Sequence, residues 1–192
     1  MSDWKQRLKR DLEPVLREAD PRPRISAYHN MPYAIFHYPP DEELPLRGEL
    51  AMLRTRLEQA GKRVTTISLA DCLADALSAE GLTTKRIEQA EQRTGAEKMI
   101  DTIHQVISRR RPLDDLVAAR LPEGADPHRD VVFIVRAGSL FPFYRTSSLL
   151  EQLKGKLDVP AVLFYPGELD GVAGLKFMGV LEAEHNYRPK IF

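Results

Sequence analysis

The chain has 192 residues, 43% of them hydrophobic and 29% charged, with 28 basic and 28 acidic side chains and no net formal charge. That length suits a single domain that folds without metal or disulfide staples, and the charge balance argues against broad phosphate-driven nucleic-acid binding. Cys72 is the only cysteine, which rules out an intramolecular disulfide and suits a reducing compartment. No stretch reads as a signal peptide or a bilayer span, so the expected location is the cytoplasm and no membrane partner is expected. A neutral surface protects poorly against association, which favours life inside an assembly, with self-association open.

Residues 3–18 read as a first helix, with Trp4, Leu8, Leu12, Val15 and Leu16 at helical spacing. Pro14 is expected to kink or split it, and Pro21 and Pro23 to form a short extended linker. This gives an N-terminal helical arm and linker at 1–24 and an α/β domain at 25–192. Tyr33, Ala34, Ile35 and Phe36 lie in a first strand, ended by Pro39 and Pro40. A helix over 45–60 carries Leu46, Leu50, Leu53 and Leu57 on one face and stops at Gly61. Residues 64–69 are a β-branched second strand, followed by a short helix over 71–77.

The longest helical stretch covers 83–111, with Thr83 as N-cap, a Leu82–Ile87 staple, and Gly95 as a dividing point. A short helix follows at 113–121. Residues 131–135 and 161–165 are continuous apolar runs around a helix at 145–154, as expected for strands buried on both faces of a parallel sheet. A last strand or hairpin falls within 175–181.

The usual chemical signatures are missing. After the first strand come Pro39, Pro40, Asp41, Glu42 and Glu43; prolines remove amide donors there and carboxylates repel phosphate. Neither the Walker-type glycine-lysine loop nor the dinucleotide glycine fingerprint occurs, and the histidines lack metal-ligand spacing. No cofactor and no metal are expected. The neighbouring acids Asp114 and Asp115, and Glu168 with Asp170, read as solvated pairs rather than catalytic ones.

In open α/β sheets ligands bind beyond the carboxyl ends of the strands. Arg136, Ser139, Arg145 and Asp170 fall there as candidate ligand-binding residues. Two arginines near a helix start suit a phosphate or a carboxylate; the structural alternative pairs them with Glu168 or Asp170. Phe141, Phe143 and Tyr144 make an apolar loop that either folds over the sheet edge or anchors a partner. Tyr165, and the tail with Tyr187, Arg188 and Phe192, are further candidate contacts. The tail either tucks into its own core or adds to a partner's sheet edge or groove. Arg109, Arg110 and Arg111 form a basic run at a helix end, where it suits the helix dipole; direct nucleic-acid binding through it is the weakest of these readings.

Several of these residues also carry a family resemblance. The loop Gly138-x-Leu140-Phe141-Pro142-Phe143-x-Arg145 is followed by Leu149, Leu150 and Leu153. Then come Pro160-x-Val162-Leu163-Phe164-Tyr165-Pro166-Gly167 with Gly171, the Leu175-x-Phe177-x-Gly179 segment, and Tyr187-Arg188. This combination, densest in the C-terminal third, resembles the BrxB family, small components of bacterial BREX phage-defence systems. The resemblance implies a non-catalytic subunit of a complex that distinguishes modified host DNA from phage DNA. It also implies other BREX proteins as partners, especially the alkaline-phosphatase-like PglZ protein, and it carries no active-site residues with it.

The combined expectation is a three-layer α/β protein with a central, mostly parallel sheet flanked by helices. It is Rossmann-like or P-loop-like without a phosphate loop, and it acts as an adaptor or scaffold in BREX defence. Two alternatives stay open: a degenerate nucleotide- or phosphate-binding domain acting as a regulatory or enzymatic subunit, and a DNA-binding subunit of the same system.

Overall fold

Alternation along the strands sorts the interior into two layers. The computed structural model describes residues 3–26, 31–171, 174–185 and 189–192. Among these, β1 (Tyr33–Tyr38), β2 (Arg63–Ser68), β3 (Asp130–Val135), β4 (Ala161–Asp170) and β5 (Gly174–Phe177) form a five-stranded sheet. The order is β1-β4-β3-β2, all parallel, with β5 antiparallel to the outer part of β4. Tyr33, Ile35, Val132, Ile134, Leu163 and Tyr165 face one layer; Ala34, Phe36, Val131, Phe133, Val162 and Phe164 face the other. Burial on both faces is the reason the strands read as unbroken apolar runs.

The helical segments are α1 (Asp3–Arg7), α2 (Glu13–Leu16), α3 (Arg22–Ile25), α4 (Glu43–Gln59), α5 (Leu69–Ala79), α6 (Thr84–Thr94), α7 (Ala96–Gln105), α8 (Leu113–Ala118) and α9 (Thr146–Gln152). The N-terminal segment and α4 cover the Phe36–Phe133–Phe164 face, while α5, α7, α8 and α9 cover the other. Gly95, at φ 88°, separates α6 from α7, and Thr83 caps α6 by accepting from the Arg86 N–H at 3.4 Å.

One expectation for the N-terminal segment needs correction, that for Pro21. The N-terminal helix packs on the sheet, with Trp4, Leu8, Leu12 and Leu16 buried against it. At about 1.5–3 kcal/mol per buried apolar side chain, that contact is a substantial part of the core. The expected split near Pro14 takes the form of a π-type stretch over Leu8–Leu12, which separates α1 from α2, with the Glu13 N–H reaching back to the Leu8 carbonyl. Pro21 is helical rather than extended, at φ −70° and ψ −19°, and starts the single turn of α3. Asp20 fixes that turn by accepting from the Arg22 main chain at 3.1 Å and from its guanidinium at 2.8–2.9 Å.

Lys62 is a structural residue that motif reading passes over. It is 7% exposed, and its ammonium donates to the carbonyls of Glu18, Ala19 and His128 at 2.5, 3.3 and 2.8 Å. Burial lowers its pKa. The lysine thus ties the end of the N-terminal helix to the loop that feeds β3.

Candidate interaction site at the carboxyl ends of the strands

The connections after β1 and β3 leave the sheet on opposite faces. After β1 the chain enters α4, on the Phe36–Phe164 face; after β3 it enters α9, on the Ile35–Leu163 face. β4 lies between them in the sheet. This is a topological switch point, where open α/β sheets form a crevice. The crevice here has a volume of about 280 Å³ and is lined by Glu43, Arg47, Arg136, Ser139, Pro166 and Met178, among others.

Arg136 ends β3 in the left-handed region, at φ 60°, a conformation that costs an L-residue energy and clusters at sites. Met178, at φ 56°, is the other non-glycine residue with positive φ among the described residues, and it lines the same crevice. The Ser139 hydroxyl donates to the Arg136 carbonyl at 2.8 Å, so it closes the turn. The Arg136 guanidinium pairs with Asp71 at 3.4 Å, and Arg47 with Glu43 at 3.0 Å. Glu43 also accepts from the Tyr38 hydroxyl. Burial and then that carboxylate push the Tyr38 pKa well above the usual phenol range.

Glu43, Arg47 and Arg136 also border a second hollow, of about 320 Å³, between α4 and the β2–β3 side of the sheet. Its floor is apolar: Leu46, Leu50, Ala51, Phe133 and Val135, with Thr66 of β2 at one side. Arg54 stands at its rim, paired with Glu58 at 2.7 Å. The two hollows form one surface, apolar at the base and arginine-rich at the edge.

The structure brings Arg136 and Ser139 together and leaves Arg145 and Asp170 out of the crevice walls. Arg145 pairs with Glu184 at 2.5 Å, and Asp170 with Lys176 at 3.6 Å and His185 at 3.9 Å. The expected pairing of the two arginines with Glu168 or Asp170 gives way to Asp71 and Glu184. Residues 165–170 are not a loop: β4 runs through them and pairs with β5, Gly167 opposite Phe177 and Asp170 opposite Gly174.

The aromatic candidates are largely consumed by the fold. Tyr165 is fully buried, 5.4 Å from the Phe177 ring, and Tyr144 is buried beside His104. Phe141 and Phe143 are half-buried, Phe141 packing edge-on against Phe177 at 6.1 Å. Phe192 is buried and forms part of the layer around Phe36. Tyr144, Tyr165 and Phe192 thus turn inward, while Phe141 and Phe143 keep part of their surface exposed. Tyr187 and Arg188 lie outside the described residues. Arg110 and Arg111 both pair with Glu80 at 3.3 Å, while Arg109 is exposed. Asp114 and Asp115 share the Lys156 ammonium. No helix among the described residues is long and apolar enough to cross a membrane.

The arginine-rimmed groove had a faint sequence signal: Val64, Thr65, Thr66 and Ile67 form an uncharged β-branched run, and Thr66 borders the groove.

The family comparison agrees with the loops around this surface. Residues 65–191 match the BrxB family, described as "BREX protein BrxB". A BREX protein BrxB of Bacillus cereus is 26% identical over 180 residues, covering 93% of this chain and 92% of that protein. No solved structure matches the chain. The match takes in β3, the Arg136 turn, the cis-proline loop after it, and the β4–β5 hairpin, and the chain belongs to the BrxB family, a component of the BREX phage-defence system.

Proposed function

We propose that the chain is a non-catalytic adaptor that holds other BREX proteins together, the alkaline-phosphatase-like PglZ protein being the first partner to test. The observation that carries this reading is the apolar groove beneath Arg47, Arg54 and Arg136. Apolar floors with polar rims are the anatomy of protein contacts. In the neighbouring crevice the Ser139 hydroxyl is taken up by the Arg136 turn.

A second reading takes the crevice as an anion site, favoured by the position of Arg136 at the switch point. A rise in melting temperature with inorganic phosphate or a nucleotide would support it. Co-expression of a tagged chain with each BREX protein, followed by pull-down at moderate salt, tests the adaptor reading. The expected result is stable co-purification with one of them; no capture of any would count against the adaptor.

A further inference from the structure

The two edges of the sheet are treated differently. The β1 edge is closed by the chain's own tail: the Ile35 N–H donates to the Lys190 carbonyl at 2.9 Å, and the Phe192 N–H to the Ile35 carbonyl at 2.8 Å. The β2 edge has no such cover, since β3 is the strand β2 pairs with among the described residues.

The register says which groups are free. The Arg63 N–H donates to the Arg129 carbonyl at 2.7 Å, so residues 63, 65 and 67 turn their main-chain groups toward β3. Val64, Thr66 and Ser68 turn theirs outward. Val64 is buried, but Thr66 is exposed at the middle of the edge. Between Val64 and Ser68 the strand carries no charge and no proline, the devices that usually guard an open edge.

Thr66 also borders the apolar groove. A strand added at this edge would lay its alternate side chains beside Thr66, on the face covered by α4. The groove's charged lining is three arginines against one carboxylate, Glu43. The side chains of Arg47, Arg54 and Arg136 are 49%, 51% and 41% exposed. Their pairs with Glu43, Glu58 and Asp71 are therefore surface ion pairs, which contribute little and exchange readily.

We propose that the β2 edge is a strand-addition site for an extended, acidic segment of a partner protein, its apolar side chains in the groove and its carboxylates on Arg54 and Arg136. This rests on the adaptor reading and names the chemistry of what docks there.

The test uses the full chain and the BREX protein it co-purifies with. Thr66→Pro removes the outward N–H where an edge strand tolerates proline, and Arg54→Glu reverses a rim charge. Each should weaken the partner by at least about tenfold while the melting temperature stays near wild type. Hydrogen exchange gives the backbone readout: the Thr66 amide should slow on binding. If Thr66→Pro fails to fold, Arg54→Glu and the Thr66 exchange decide. Undiminished binding by folded variants, or a Thr66 amide unchanged on binding, overturns strand addition and leaves the adaptor standing. Self-association of the chain alone through this edge also overturns it, because the occupant is then a second copy. A wild-type chain that captures no BREX protein removes both.

Discussion

Ile191 lies beside Ile35 as a parallel bridge, so the end of the chain forms a short extra strand along β1. The His37 N–H donates to the Phe192 carbonyl at 3.2 Å, and the Phe192 ring is buried. The tail therefore acts on stability. Removing residues 190–192 should cost about 3 kcal/mol, as for loss of a buried phenylalanine, and expose the β1 edge. Denaturant titration measures this; a truncated chain with an unshifted midpoint would contradict it.

Glu13 sits 7% exposed between Arg56, at 2.8–3.0 Å, and Arg17, at 2.7 Å. Burial pushes its pKa up, but hydrogen bonds and charge from the two arginines outweigh burial and hold it below the usual carboxylate value. A carboxylate depressed on folding stabilises above its unfolded pKa, and that stability is lost as pH falls through the folded one. Glu13→Gln should cost about 2 kcal/mol at neutral pH, since it leaves Arg56 partly buried without its partner. The difference from wild type should shrink as pH drops below about 4. A pH-independent difference would refute the assignment.

His37 titrates in a different window. Burial, then the nearby Arg7 charge, lower its pKa from 6.5 to about 4. Between those values the unfolded chain binds the proton and the folded chain does not, so stability falls as pH is lowered from 6.5 toward 4. His37→Gln should flatten that slope in urea titrations run across the window. An unchanged slope would place the titration elsewhere.

Gly167 has no room for a side chain: a Cβ there would fall on the Lys176 carbonyl and the Tyr165 ring. Gly167→Ala should destabilise by about 2 kcal/mol through overpacking at the start of the β4–β5 hairpin. Thermal melts check it, and a neutral result would mean that the hairpin shifts freely.

What the sequence made legible was local. Continuous apolar runs gave the parallel strands, Gly61 and Gly95 the helix ends, and Thr83 a cap. What it hid was contact between distant segments. Asp71 meets Arg136 across 65 positions and Glu184 meets Arg145 across 39, so local charge reading chose the nearer acids instead. Pro166 and Gly167 look like a strand end. Pro166 is tolerated because it sits opposite Tyr38, the last residue of β1, and its carbonyl accepts from the Met178 N–H at 2.9 Å. The aromatic loop misled for a related reason: Phe177, its packing partner, arrives on β5.

The proposed role of this chain is to join BREX proteins rather than to act on a substrate. The direct measurement is the composition of complexes purified from the complete BREX system with and without the chain, read by native mass spectrometry. The account predicts that one assembly contains the chain and falls apart without it, and that Arg54→Glu reproduces the loss. The same assembly forming in its absence would contradict the account.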